Sequence, residues 1–75
     1  MLTSKEREYI TPRLIKVLDQ LIKEDALKGV ELDVMIEYMG IINRMVYTKE
    51  EAIPFLKELC DNDLIRVIDG KYYPV

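Results

Sequence analysis

"LIRVIDGKYYPV", residues Leu64–Val75, carries the strongest local signal in this chain. Two β-rich runs, LIRVI and KYYPV, flank an Asp69-Gly70 pair. A two-residue type I′ turn needs positive φ at both central positions, which Asp and Gly tolerate cheaply, so the pattern predicts a hairpin. The turn then fixes the register: Ile68 faces Lys71, and Val67 faces Tyr72. Pro74 has no N–H to donate and suits an edge strand. A lone two-stranded hairpin is marginal in water. Its apolar face must therefore rest on the residues that precede it.

Those residues read as helices. In "KEEAIPFLKELCDN", Thr48 and Glu51 have capping-box spacing, a hydroxyl at the N-cap and a carboxylate three residues on. The inner face of this helix is predicted to hold Ala52, Leu56, Leu59 and Cys60. Pro54 lies inside it, where it removes one backbone hydrogen bond and can move the start. Asn62 suits a left-handed C-terminal cap. Before it, "ELDVMIEYMG" places Leu32, Met35, Ile36 and Met39 on one stripe, with Glu31, Asp33 and Glu37 outside and Gly40 as the stop. "IINRMVY" then reads as a connector of strand-like residues. At the other end, Leu14, Ile15, Leu18, Leu21 and Ile22 predict a helix from residue 12 to about residue 27, begun by Thr11-Pro12 and ended by Gly29. Thr3 and Glu6 repeat the capping-box spacing, so residues 1–11 read as an extension or a short first helix, either separate from the long helix or running into it through Pro12 with a kink.

The 75 residues fit one α+β domain spanning 1–75, three helices and a hairpin around a single modest core. An apolar share of 49% beside a charged share of 33% is a globular balance. No apolar run approaches the roughly 18 residues that cross a bilayer, so no membrane partner is expected. "MLTSKEREYI" lacks the apolar core of a signal peptide, which points to a cytoplasmic location. Cys60 is the single cysteine, so no internal disulfide forms.

Three helices followed by a hairpin resemble a winged helix-turn-helix domain. The resemblance is carried by "AIPFLKELCDNDLIRVIDGKYYPV". There Leu56 and Leu59 match the family's leucine pair, Leu64 and Ile65 its entry into the first wing strand, and Asp69 and Gly70 the wing tip. "VELDVMIEYMGI" is similar to the family's second helix, and the likeness covers most of residues 12–75. Asp63 stands where the family often has glycine, and the wing is short. The resemblance implies a three-helix winged helix with a two-stranded C-terminal wing. It implies binding to DNA, RNA or protein, and dimerisation through terminal helices, for which Tyr9 and Ile10 are candidates.

Charge favours a protein partner. The net charge is −3 and the chain has no histidine. On the third helix the exposed candidates are Glu50, Glu51, Ile53, Pro54, Phe55, Lys57 and Glu58. Three carboxylates and an apolar stretch suit a protein partner or a second copy of the chain better than a polyanion, because DNA affinity rests on neutralising phosphates with Lys and Arg. Glu50 and Glu51 also complement the helix dipole simply by standing in its first turn. The alternative is a DNA-binding transcription regulator, with Arg44, Lys49, Lys57, Arg66 and Lys71 as a basic patch and Tyr72 or Tyr73 stacking or hydrogen-bonding beside it. Tyr38, Tyr47, Phe55, Tyr72 and Tyr73 either complete the core or add interface area.

Catalysis is not expected. There is no His to act as base, Cys60 has no candidate activator, and the three glycines are isolated. No cofactor is implied. Asp61, Asp63 and Asp69 have no calcium-loop spacing, so no metal is expected.

Overall fold

The computed structural model describes residues 2–75. Met1, the first residue of the expected N-terminal extension, lies outside them. The elements run α1 (Ser4–Glu24), β1 (Val30–Glu31), α2 (Leu32–Asn43), α3 (Lys49–Asp61), β2 (Ile65–Ile68) and β3 (Lys71–Pro74). The three strands form one antiparallel sheet in the order β1-β3-β2. The class is α+β as predicted, but the sheet has a third strand where a two-stranded hairpin was expected. Val30 pairs with Tyr72 and Glu31 with Lys71, so the open side of the hairpin is partly covered.

Of the two readings of the N-terminus, the structure has the continuous one: α1 is a single helix that runs through Pro12. Thr3 and Glu6 form the capping box at its start. Pro12 lies inside and exposed. An internal proline costs about 3 kcal/mol. Continuing the helix carries Ile10 (0% exposed) into the core and lets Leu2 (5%) reach it. Burying such side chains is worth roughly 1.5–3 kcal/mol each, enough to offset the break. The helix stops at Glu24, capped by Asp25, and Gly29 is not its cap. Gly29 instead sits against the Tyr73 ring and the Lys71 Cβ, where any side chain would collide. Over 21 residues α1 is about 31 Å long, as long as the greatest extent of the molecule, 31 Å.

α2 passes through Gly40 and ends at Asn43, so the expected stop at Gly40 and the strand-like connector after it are both corrected. The turn is made by Arg44 in the left-handed region, φ 54°, with the Met45 N–H donating to the Gly40 carbonyl at 3.0 Å. This is a Schellman-type end in which an arginine stands where glycine is usual. α3 starts at its Thr48–Glu51 capping box, unmoved by Pro54. Its left-handed terminal residue is Asp63 (φ 58°), one position beyond the expected Asn62. The Leu64 N–H reaches the Leu59 carbonyl at 2.9 Å and the Asp63 N–H reaches Cys60 at 3.0 Å.

The hairpin follows the sequence reading. Asp69 and Gly70 have φ 51° and 77°, and Ile68 opposes Lys71 while Val67 opposes Tyr72. β3 is nevertheless the central strand, which corrects the edge placement of Pro74. Its missing N–H is tolerated because β1 pairs only as far as Tyr72. Ile10, Leu14 and Leu18 of α1, Met35 and Met39 of α2, Ala52, Phe55, Leu56 and Leu59 of α3, and Ile65 of β2 form one core. Among the described residues no helix is long and apolar enough to cross a membrane.

Candidate functional site

The seven expected partner residues of α3 do not share one free face. Phe55 is only 2% exposed and belongs to the core, so it offers a partner nothing. Glu51 closes the capping box, where the Thr48 backbone N–H, then its hydroxyl, hold the carboxyl below the usual carboxylate range. Glu58 pairs with Arg7 of α1 at 3.1 Å. Lys57 pairs with Asp61 one turn on at 3.0 Å. Glu50, Ile53 and Pro54 remain exposed.

The alternative basic patch is divided as well. Across the hairpin, Arg66 faces Tyr73 and Ile68 faces Lys71, so these four share the outer face. Ile65 and Pro74, both buried, face each other on the inner side, and Tyr72 opposite Val67 is on that inner side too. Tyr72 is therefore not beside Arg66 and Lys71; Tyr73 is. Burial pushes the Tyr72 phenol up, with Cys60 close behind it. Lys49 lies 3.7 Å from Asp33. Lys49 and Lys71 line a shallow hollow together with Glu31, Asp33 and Asp69, so three carboxylates outnumber two ammonium groups there. Arg44 lines a different hollow, at the α2–α3 corner.

That corner is the feature the sequence reading missed. An open hollow of about 690 Å³ is lined by Ile36, Glu37, Gly40, Ile41, Arg44, Met45, Val46 and Tyr47. Val46 is 94% exposed, Ile41 72% and Met45 50%. Apolar groups this exposed and this close mark an interaction surface more often than scattered ones do. Hydrogen bonds tie the corner to α1 from behind. The Asn43 amide donates to the Tyr47 hydroxyl at 2.7 Å, and that hydroxyl donates to Glu6 of α1 at 2.6 Å. The Tyr47 bond, with the Thr3 backbone N–H, holds the Glu6 carboxyl below its usual range. Burial, then the Glu6 bond, pushes the Tyr47 phenol up, so the hydroxyl keeps its proton. The available signal was the run IINRMVY itself, an apolar connector with no partner strand.

Cys60 is half-buried, and burial pushes its thiol up, away from the reactive thiolate. Tyr9 is partly exposed and stacks under Arg13 at 3.7 Å, whereas Ile10, expected with it on a dimer face, is in the core. Among the described residues no three His, Cys, Asp or Glu side chains are grouped to hold a metal, Asp61, Asp63 and Asp69 included. The chain matches no protein-family model, no curated protein and no solved structure.

Proposed function

We propose that this chain is a protein-interaction module of winged-helix type, an adaptor acting in regulation and not an enzyme. The observation that carries the reading is the apolar corner, where Ile41 and Val46 stand exposed beside one open hollow. The order helix, strand, helix, helix, strand, strand, with β2 and β3 as the wing, supports the winged-helix assignment. The outer surface of α3 supports a protein partner over DNA. Its two lysines each have a carboxylate within reach, so docking on phosphate would release few counterions.

A DNA-binding regulator is the second reading. It is favoured by one observation, the placement of Arg66, Lys71 and Tyr73 on one face of the wing. Fluorescence anisotropy of a labelled random duplex, titrated with the protein at low and at physiological salt, separates the two. The interaction module gives no binding at either salt. Salt-steep binding that weakens for every sequence in Arg66→Ala and Lys71→Ala would replace it with the DNA reading.

A further inference from the structure

The hollow at the α2–α3 corner carries its own charge pattern. Glu37, on α2, and Arg44, the left-handed residue that ends it, both line the hollow. At about 1.5 Å per residue the helix runs about 9 Å from Glu37 to its end at Asn43, past Ile41, and Arg44 follows directly. Among the described residues neither takes part in an ion pair; the pairs there are Arg7–Glu58, Lys49–Asp33 and Lys57–Asp61. The surface thus holds an acid at one end, a base at the other and exposed apolar groups in the middle.

Such a surface is complementary to itself. An isologous contact brings one patch against a copy of itself turned by a two-fold axis. With the axis near Ile41, each Glu37 meets the partner's Arg44, and the pair occurs twice. Val46 and Met45, at the rim of one hollow, then enter the other. We infer that this corner is the interface between two copies of the chain, with α2 packed antiparallel against the partner's α2. The inference rests on the interaction-module reading and names its partner. A phosphate-bearing or all-acidic partner would meet Glu37 as well as Arg44, and a basic one the reverse. Only a partner with both charges in mirrored order satisfies both residues, and a second copy has that order by symmetry.

A standard interface takes roughly 800 Å² from each partner, about 15% of this chain's 5167 Å² surface. Interfaces of one size span many decades of affinity, so the dimer is sought over a wide range of concentration.

Sedimentation equilibrium of the full chain, from about 5 µM to about 500 µM, tests this. The expected mass rises from 8.8 kDa toward twice that value. Val46→Asp stays at the monomer mass throughout with unchanged far-UV circular dichroism, because a 94% exposed side chain bears no load in the fold. Glu37→Arg and Arg44→Glu each weaken the dimer about tenfold or more, since each turns two attractions into two repulsions. Mixing those two variants restores a dimer, as every facing pair is again opposite in charge. A wild-type chain that stays at 8.8 kDa overturns the inference, as does a dimer that all three variants leave intact. A monomer that also ignores duplex DNA removes the second copy but leaves the interaction-module reading. Salt-steep duplex binding removes that reading, while the masses decide the dimer separately.

Discussion

Gly40→Ala should destabilise this protein, against the ordinary rule for helix interiors. Replacing an internal helical glycine by alanine normally gains about 1 kcal/mol. Here a Cβ on Gly40 would sit 2.6 Å from the Met45 carbonyl oxygen, about 0.8 Å inside ordinary contact at 3.4 Å. The obstacle is backbone, held where it is by Arg44 at φ 54° and by the 3.0 Å bond from the Met45 N–H back to the Gly40 carbonyl. Relief requires opening that turn. Overpacking strain of about 1–3 kcal/mol, and a weakened hydrogen bond worth about 1 kcal/mol, exceed the helix gain. A net loss of about 1–3 kcal/mol follows, or a Tm fall of about 4–24 °C for a domain of this size. Urea unfolding followed by circular dichroism at low protein concentration reads it directly. Arg44→Gly should move the other way by about 0.5–1 kcal/mol, because it relieves a left-handed arginine at the same turn. A Gly40→Ala protein as stable as the wild type or more so would refute the close approach, and with it the shape given to the corner hollow.

The cap of α3 offers a similar test: Asp63→Gly should gain about 0.5–1 kcal/mol, while Asn62→Gly, one residue earlier and not left-handed, should gain nothing. Ile10→Ala should cost about 2–5 kcal/mol in urea unfolding, because Ile10 is fully buried; an extension that merely lay beside the domain would lose almost nothing. Stability should fall on acidification. Glu6 (held by Tyr47) and Glu51 (held by the Thr48 backbone) titrate below 4.5 in the folded chain, so the unfolded chain takes up protons first. Their contribution is complete above about pH 5 and is lost as pH drops through the lowered folded values. Glu6→Gln should flatten part of that loss in urea midpoints taken between pH 7 and pH 3. Tyr47 gives the opposite limb: its raised phenol contributes below 10.0, and that is lost as pH climbs through the raised value.

What the sequence made legible was local chemistry. The Asp69-Gly70 turn and its register needed only the φ requirement of a type I′ turn. Both capping boxes needed only a hydroxyl and a carboxylate three residues apart. What it hid was decided by contacts between distant elements. Pro12 looked like a start because the burial of Ile10 and Leu2, which holds the helix together across it, is a tertiary fact. β1 is two residues long and exists only because β3 offers it an edge. Gly40 looked like a stop because glycine so often ends helices. Here it is instead the residue that allows the next turn to fold back closely.

The site was obscured in the same way. Lys57–Asp61 could be anticipated from its four-residue spacing, but Lys49–Asp33 and Arg7–Glu58 join separate elements. Those pairs leave the α3 surface with little free charge. Phe55 and Tyr72 fell on the wrong side because one helical or strand step decides whether an aromatic faces water or the core. Ile41, Met45 and Val46 were read as strand formers, and without a partner strand their apolar surface stayed outside.

An amide-resolved spectrum of the isotope-labelled chain, recorded dilute, concentrated, and concentrated with random duplex DNA, tests the central claim most directly. The account predicts concentration-dependent shifts at Ile36–Tyr47 and none on adding the duplex. Shifts at Lys49, Arg66, Lys71 and Tyr73 on adding the duplex, with the α2–α3 corner silent throughout, would contradict it.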